Sequence, residues 1–271
     1  MPSPRPAALL LALALAPPAC ADKPPSPEAP PAPTAAESAP PARQPPTTEE
    51  KHAMSRKLMV ERHLAARDIT DRAVLDAMAT VPRDAFVRDG EQAEAYADHP
   101  LPIGHGQTIS QPYIVALMTQ LARARPGMKA LDVGTGSGYQ AAVLSRVVDH
   151  VYGIEIVCPL ADRARVTLAK LGYDNVTVRC GDGYRGWPEH APFDVIILAA
   201  APERIPEPLI EQLAPGGRLV LPVGEGIQQL KVVTKGDDGT HRVEDHGAVR
   251  FVPMTGEIRG DAPAKAPGTA P

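Results

Sequence analysis

The sequence predicts an α/β fold in which a doubly wound, largely parallel sheet follows an N-terminal helical extension. Three observations predict this fold. Between residues 129 and 223, short apolar segments typical of strands alternate with segments of helical spacing. Residues 193–199 are almost entirely apolar, as expected of a parallel strand covered on both faces. A glycine-rich loop, residues 134–138, directly follows one predicted strand, and open parallel sheets bind ligands beyond the carboxyl ends of their strands.

The helical extension precedes the sheet. The spacing of apolar residues predicts a helix over residues 52–66, and Asp71 is a suitable N-cap for a second helix that ends before Pro82. The remaining predicted segments before the sheet are an irregular stretch over 83–96, a loop over 101–111 and a third helix that begins at Pro112.

The alternating region supplies seven predicted strands. Their ranges are 129–133, 151–156, 176–180, 193–199, 218–223, 228–235 and 248–253. Helices are predicted between them over 140–148, 160–171 and 206–213. This β-α-β order implies right-handed crossovers, so that helices cover both faces of the sheet.

Composition limits the classes of function. The net charge is −4, and the sequence has no basic patch with interleaved aromatic residues, so nucleic acid is not an expected partner. Cys20, Cys158 and Cys180 match no zinc or redox spacing, and no metal site is predicted. Cys158 and Cys180 are expected to be small buried apolar residues.

The two ends of the chain differ in composition from its middle. Arg5 precedes an apolar run that is too short to span a membrane but fits an export signal, and Cys20 resembles a lipoprotein cleavage site. Translation from Met54 is the alternative, in which case the preceding residues are an artefact. The predicted division is a signal-like segment (1–21), a Pro/Ala-rich disordered linker (22–50), a folded catalytic domain (51–258) and a disordered tail (259–271).

The glycine loop and the acidic residues near it predict a site for a nucleoside cofactor. Gly134, Gly136 and Gly138 have the spacing G-x-G-x-G, whereas the dinucleotide fingerprint is G-x-G-x-x-G, which argues against NAD. Glu155, at the end of the second strand, can accept hydrogen bonds from ribose hydroxyls. Asp182, after the third strand, can accept one from an adenine amino group.

Each acid also has a purely structural interpretation. Glu155 could be a solvated charge at a strand end, and Asp182 could form a turn between two glycines. Asp132, which precedes the glycine loop, could order that loop without touching a ligand.

The succession of acid, glycine loop and two further acids on neighbouring strand ends resembles the class I S-adenosylmethionine-dependent methyltransferases. The resemblance implies a Rossmann-like sheet of seven strands, one of them antiparallel, and S-adenosyl-L-methionine as the cofactor.

A segment before the sheet carries a closer resemblance. It contains Thr108-Ile109-Ser110-Gln111-Pro112, and with it the chain resembles the protein-L-isoaspartate O-methyltransferase family over about residues 54–255. Further matching stretches are Val81-Pro82-Arg83, Phe86-Val87, Ala95-Tyr96-Ala97-Asp98, Gly181-Asp182-Gly183, Ala191-Pro192-Phe193-Asp194 and Pro215-Gly216-Gly217-Arg218.

This resemblance implies a reaction and a set of site residues. A methyl group would pass from S-adenosylmethionine to the free carboxylate of L-isoaspartyl residues in damaged proteins or peptides, which starts repair through a succinimide. Ser110 is implied as the active-site residue, although a serine before Pro112 is also a natural N-cap. The implied substrate pocket comprises Thr108, Ile109 and Gln111. The implied cofactor contacts are Asp132, Gly134, Gly136, Glu155, Asp182, Gly183 and Thr255.

Other functions fit less well. Residues 198–202 read Leu-Ala-Ala-Ala-Pro, whereas amino-group methyltransferases usually carry an Asn/Asp-Pro-Pro-aromatic turn there, and a cytosine C5 enzyme needs a cysteine. Two alternatives stay open: a methyltransferase for another carboxylate, and an inactive, envelope-tethered binding protein with the same fold. His99 and His105 are assigned no role.

The expected partners are isoaspartyl-containing proteins and peptides, and the expected state is a monomer. Because S-adenosylmethionine is made in the cytoplasm, cofactor supply favours a cytoplasmic enzyme. The first 50 residues favour the alternative, export to the periplasm, as a lipoprotein if Cys20 is modified.

Overall fold

The structure is a computed structural model, and it describes residues 46–259. The signal-like segment 1–21 with Cys20, most of the predicted linker and nearly all of the predicted tail lie outside the described residues. Within the described range, no helix combines the length and the apolar character that crossing a bilayer requires.

The described helices and strands alternate along the chain. The helices are α1 (Thr48–Met59), α2 (Arg72–Thr80), α3 (Pro112–Leu121), α4 (Tyr139–Leu144), α5 (Cys158–Lys170) and α6 (Glu207–Glu211). The strands are β1 (Leu101–Gly104), β2 (Gln107–Ile109), β3 (Lys129–Val133), β4 (His150–Glu155), β5 (Val176–Cys180), β6 (Phe193–Leu198), β7 (Leu213–Val223), β8 (Gln228–Lys235) and β9 (His241–Val249). A π-helical turn over Val60–Ala65 continues α1, so the first predicted helix is confirmed as a helical segment.

Seven strands form one sheet in the order β5-β4-β3-β6-β7-β8-β9. The pairs from β5 to β7 are parallel, and β8 is antiparallel to both of its neighbours. The predicted doubly wound sheet with one antiparallel strand is therefore confirmed. The order reverses beside β3, and the carboxyl ends of β3 and its neighbours meet at that point, where such sheets bind ligands.

Both faces of the sheet are buried, because helices or turns cover each of them. In β3, Ala130 packs into the cluster formed with α3, α4 and α5, whereas Leu131 and Val133 pack into the cluster on the other face. In β6, Val195 belongs to the first cluster and Ile196 to the second. This double burial explains why the strand has no polar alternation.

The prediction of a last strand at residues 248–253 is wrong. The seventh strand of the sheet is β9, at His241–Val249, and none of its residues is buried. Because β9 is an edge strand with exposed side chains, it lacks the apolar alternation by which strands are recognised. The residues after β9 leave the sheet, and Pro253 forms an isolated parallel bridge with Ala201.

Two further segments differ from the prediction. Residues 101–111 are not simply a loop, because β1 and β2 form an antiparallel hairpin in which Leu101 pairs with Ile109. Helix α1 begins at Thr48, inside the predicted linker. Thr47 and Glu50 form a capping box there, in which the Thr47 hydroxyl accepts a hydrogen bond from the Glu50 N–H at 3.2 Å.

The prediction of two independent apolar cysteines is also wrong, because Cys158 and Cys180 form a disulfide. Cys158 is the first residue of α5, and Cys180 is the last residue of β5. The register of β4 and β5 places Glu155 directly beside Cys180, so the chain that follows Glu155 passes close to Cys180. Spacing along the sequence does not report this register.

Candidate active site

The glycine loop leaves β3 and turns back over β4 before α4 begins. The N–H groups of Gly134 and Thr135 both donate to the carbonyl of Ile154, at 2.8 and 3.1 Å. Gly134 and Gly136 have φ of +81° and +55°, a region that residues with a Cβ rarely adopt. The loop backbone therefore lies at the carboxyl edge of the sheet, and Gly134 and Gly136 line the space above it.

That space is a cleft with a free volume of about 810 Å³, counted together with the solvent at its mouth. Its walls combine apolar side chains with polar residues of the glycine loop, of the first turn of α4 and of residues 107–110. The apolar lining residues include Ile109, Val115, Val133, Ile154, Ile156, Leu198, Val252 and Met254. The predicted site residues in the lining are Thr108, Ile109, Ser110, Gly134, Gly136, Glu155, Gly183 and Thr255.

Glu155 is the acidic residue that lines the cleft. Its carboxylate accepts hydrogen bonds from the N–H groups of Gly136, at 2.7 Å, and Val157, at 2.8 Å. Burial raises the pKa of Glu155, and these two N–H groups oppose the shift by stabilising the charged form. The interpretation of Glu155 as a solvated strand-end charge is wrong, because the residue is only 5% exposed.

Asp132 does not line the cleft. It is fully buried beneath the glycine loop, and neither carboxylate oxygen has a hydrogen-bond partner among the described residues. Burial raises the pKa of Asp132 to about 7, and the nearby charge of Glu155 acts in the same direction. The loop is ordered instead through backbone carbonyls, since the Thr135 hydroxyl donates to the carbonyl of Asp132 at 3.1 Å.

Asp182 acts as a turn-forming residue and also lies behind the lining. One carboxylate oxygen accepts from the N–H of Tyr184 at 2.9 Å, and the other accepts from the N–H of Glu257 at 2.7 Å. The next residue, Gly183, does line the cleft. A Cβ at Gly183 would overlap the side chain of Val133.

Residues 252–255 line one side of the cleft, and only Thr255 among them was predicted as a site residue. The Ala201 N–H donates to the carbonyl of Val252, and the Met254 N–H donates to the carbonyl of Ala201, both at 2.8 Å. The bond from Glu257 to Asp182 holds the end of this segment. Residues 107–110, near the start of the domain, and residues 252–255, near its end, thus line the same site.

Ser110 lies where the cleft meets a second, more open groove. Thr108 and Ser110 line both spaces, whereas Gln111 lines the groove. The groove continues along Ile114, Ile227 and residues 248–253. The N-cap interpretation of Ser110 is wrong: the N-cap of α3 is Gln111, and no side-chain hydrogen bond from this residue caps the helix.

Sequence reasoning missed two polar residues at the start of α4. Tyr139 and Gln140 follow the glycine loop directly and line the cleft. The Gln140 amide donates to the Thr119 hydroxyl at 3.0 Å, which orients it. Their position in the first helical turn after the loop was the available indication. His99 and His105, by contrast, belong to the lining of neither space.

The chain is similar to known sequences. Residues 54–259 match the family described as protein-L-isoaspartate(D-aspartate) O-methyltransferase. A protein-L-isoaspartate O-methyltransferase from Opitutus terrae is 56% identical over 211 residues, which are 77% of this chain and 90% of that protein. A protein-L-isoaspartate O-methyltransferase 2 from a Polaromonas species is 54% identical over 211 residues, 77% of this chain and 99% of that protein.

Solved structures share the fold. One protein-L-isoaspartate O-methyltransferase structure is 27% identical, covers 76% of this chain and 67% of its own, and superposes with a TM-score of 0.68. A structure from Plasmodium falciparum, described as the same enzyme in complex with S-adenosyl-L-homocysteine, is 26% identical with a TM-score of 0.63. The match covers 75% of this chain and 98% of the Plasmodium falciparum chain.

Proposed function

The chain belongs to the protein-L-isoaspartate(D-aspartate) O-methyltransferase family, and we propose that Ser110 orients the substrate carboxylate in its reaction. The enzyme transfers a methyl group from S-adenosyl-L-methionine to the free carboxylate of L-isoaspartyl residues. The methyl ester has a better leaving group than the acid, so the neighbouring amide nitrogen closes a succinimide. Hydrolysis of that ring returns some normal aspartyl residues.

The residues of the cleft fit S-adenosyl-L-methionine. Gly134 and Gly136 line the cleft with backbone alone, and the buried carboxylate of Glu155 is suited to accept hydrogen bonds from ribose hydroxyls. The apolar walls suit an adenine ring, and Gly183 packs directly against Val133 in this lining, where a Cβ would not fit. When bound, the cofactor supplies an electrophilic methyl carbon attached to a sulfonium. Asp132 lies beneath the loop, so its side chain does not contact the cofactor in this proposal.

The substrate needs orientation more than activation. An isoaspartyl carboxylate is ionised at neutral pH, since the pKa of such a group is about 4, and it requires no general base. A hydroxyl donor can fix one carboxylate oxygen while the other attacks. Holding the two reactants in line and away from water accounts for much of the rate acceleration in such a transfer.

The position of Ser110 is the observation that carries this assignment. Ser110 belongs to the wall shared by the cleft and the more open groove. A peptide in the groove can therefore present its carboxylate to a methyl group in the cleft beside Ser110. Buried Ile109 and Val115 line the cleft next to this point and exclude water.

Ser110→Ala should lower the single-turnover rate of methyl transfer about 10- to 100-fold, because a hydrogen bond to a charged group contributes about 1.5–3 kcal/mol. The assay uses a synthetic isoaspartyl peptide, labelled S-adenosylmethionine and base-labile methyl ester as the readout. The affinity for S-adenosylhomocysteine should stay unchanged.

Ser145→Ala is the matched control, since among the described residues the hydroxyl of this buried serine bonds only the Ala142 carbonyl, at 2.8 Å, and lies outside the cleft and the groove. It should keep the wild-type rate. A Ser110→Ala variant that transfers at the wild-type rate, or that loses cofactor affinity in proportion to rate, would contradict the assignment.

The oligomeric state and the compartment are parts of the same proposal. A monomer is sufficient, because residues of one chain line both the cleft and the groove.

Cofactor supply supports the cytoplasm, whereas the Cys158–Cys180 disulfide supports export, since disulfides persist mainly in oxidising compartments. Mass spectrometry of the mature N-terminus separates the two: a lipid-modified Cys20 would establish export, and a start at Met54 would support the cytoplasm.

A further inference from the structure

Helix α3 begins immediately after the Ser110-Gln111 segment, and its first turn is held by a residue from outside the helix. Pro112 has no N–H, so Tyr113 supplies the first N–H group of the helix. This N–H donates to Oδ1 of Asp98 at 3.1 Å. Because the local N-cap, Gln111, forms no capping bond, Asp98 performs that role from a separate segment of chain.

The second carboxylate oxygen of Asp98 reaches back toward the active site. Oδ2 accepts a hydrogen bond from the side-chain amide (Nε2) of Gln111 at 2.8 Å. The Arg67 guanidinium lies 3.3 Å from the same oxygen. The Asp98 side chain is only 16% exposed, so these bonds are partly shielded from water.

The other side of Ser110 is fixed as well. Strand β2 ends at Ile109, which is buried and pairs with Leu101 in the hairpin. Ser110 therefore lies between a strand end and a helix start. Asp98 holds both the Gln111 side chain and the Tyr113 N–H on the helix side, directly after Ser110.

We propose that Asp98 is a positioning residue for methyl transfer: it holds Gln111 and the start of α3, and thereby sets the Ser110 hydroxyl in the wall between cleft and groove. This inference rests on the proposed role of Ser110. Asp98 itself lines neither the cleft nor the groove, so it acts only through these neighbours.

Helix α3 has a second anchor that does not involve Asp98. The Tyr113 hydroxyl donates to Asp68 at 2.8 Å. Removing the Asp98 carboxylate should therefore leave the helix in place and loosen only the segment that precedes it. Asp68→Ala is the matched control, because it removes a carboxylate that also bonds Tyr113, in the first turn of α3, without touching Gln111.

The test measures single-turnover methyl transfer, affinity for S-adenosylhomocysteine and thermal stability for Asp98→Ala, Asp98→Asn, Asp68→Ala, Ser110→Ala and the Asp98→Ala/Ser110→Ala double variant. Asp98→Ala should lower the transfer rate about tenfold, since a charge-assisted bond and a helix cap are lost, and should leave the affinity unchanged. Asp98→Asn keeps an acceptor and should recover part of the rate. Asp68→Ala should keep the wild-type rate.

The double variant separates positioning from general stability. In the Ser110→Ala background, Asp98→Ala should cause no further loss of rate, while its effect on thermal stability should persist unchanged. An equal loss of rate with and without Ser110, or an unchanged rate in Asp98→Ala, would overturn the inference even if Ser110→Ala behaves as proposed. If Ser110→Ala itself keeps the wild-type rate, the proposed function of Ser110 fails and this inference fails with it.

Discussion

Replacing both Cys158 and Cys180 by serine should lower the free energy of unfolding by about 3 kcal/mol. The two cysteines are 22 residues apart in sequence. A cross-link that closes a loop of this length lowers the entropy of the unfolded chain by about 11 cal/mol/K, which is about 3 kcal/mol at 25 °C. For a domain of about 200 residues, this corresponds to a melting temperature lower by about 6–12 °C.

The disulfide should also influence cofactor binding. It joins the segment just after Glu155 to the strand end just before Gly183, and both of these residues line the cleft. Without the cross-link, the spacing between the two segments depends on the β4–β5 pairing alone. We expect the dissociation constant of S-adenosylhomocysteine to rise severalfold in the double serine variant.

The assay is guanidinium denaturation of the wild type and the variant, each with and without a thiol reductant. The wild type should lose about 3 kcal/mol when reduced, and the variant should not respond to the reductant. Reduced wild type and variant should then agree in stability and in cofactor affinity. A wild type whose unfolding midpoint is the same in both conditions would refute the reasoning.

Two further substitutions test the cofactor side of the cleft. Because the pKa of folded Asp132 is raised from 3.8 to about 7, the folded protein retains a proton that the unfolded chain releases between these values, and stability should fall as pH rises through this window. Asp132→Asn should remove that fall. The free energy of unfolding is measured with urea at several pH values, and the same pH dependence in variant and wild type would contradict the prediction. Gly183→Ala places a Cβ against Val133 and should weaken S-adenosylhomocysteine binding about tenfold, with a cost of about 1–3 kcal/mol in stability. Calorimetry of Gly183→Ala and of Gly183→Ala/Val133→Ala checks this steric origin: the second substitution should restore binding, and no recovery would refute it.

Much of the sheet could be predicted because its pattern is local. The bounds predicted for the strands at residues 129–133, 176–180 and 228–235 agree with β3, β5 and β8. Burial on one or both faces imposes an apolar pattern on such strands, and the glycine loop requires residues that tolerate positive φ. Edge strand β9 escaped prediction, since none of its residues is buried and only Val249, at its end, packs against the core.

The site could be predicted only in part. Glu155, Gly134 and Gly136 belong to short motifs at strand ends, and the topology places them in the cleft. Asp132 and Asp182 belong to the same motifs, yet the structure places both behind the lining. One residue of difference along a strand or turn changes the direction of a side chain, and a motif does not specify this direction.

The sequence by itself determined the fold class, the glycine loop, the family and the expected cofactor, because each depends on residues that are near one another in the chain. The tertiary structure decided which distant segments meet. It brought Cys158 beside Cys180 through strand register, residues 252–255 across the cleft from the glycine loop, and Asp98 to the N–H of Tyr113. These contacts depend on the packing of whole elements against one another, and no local pattern of residue types carries that information.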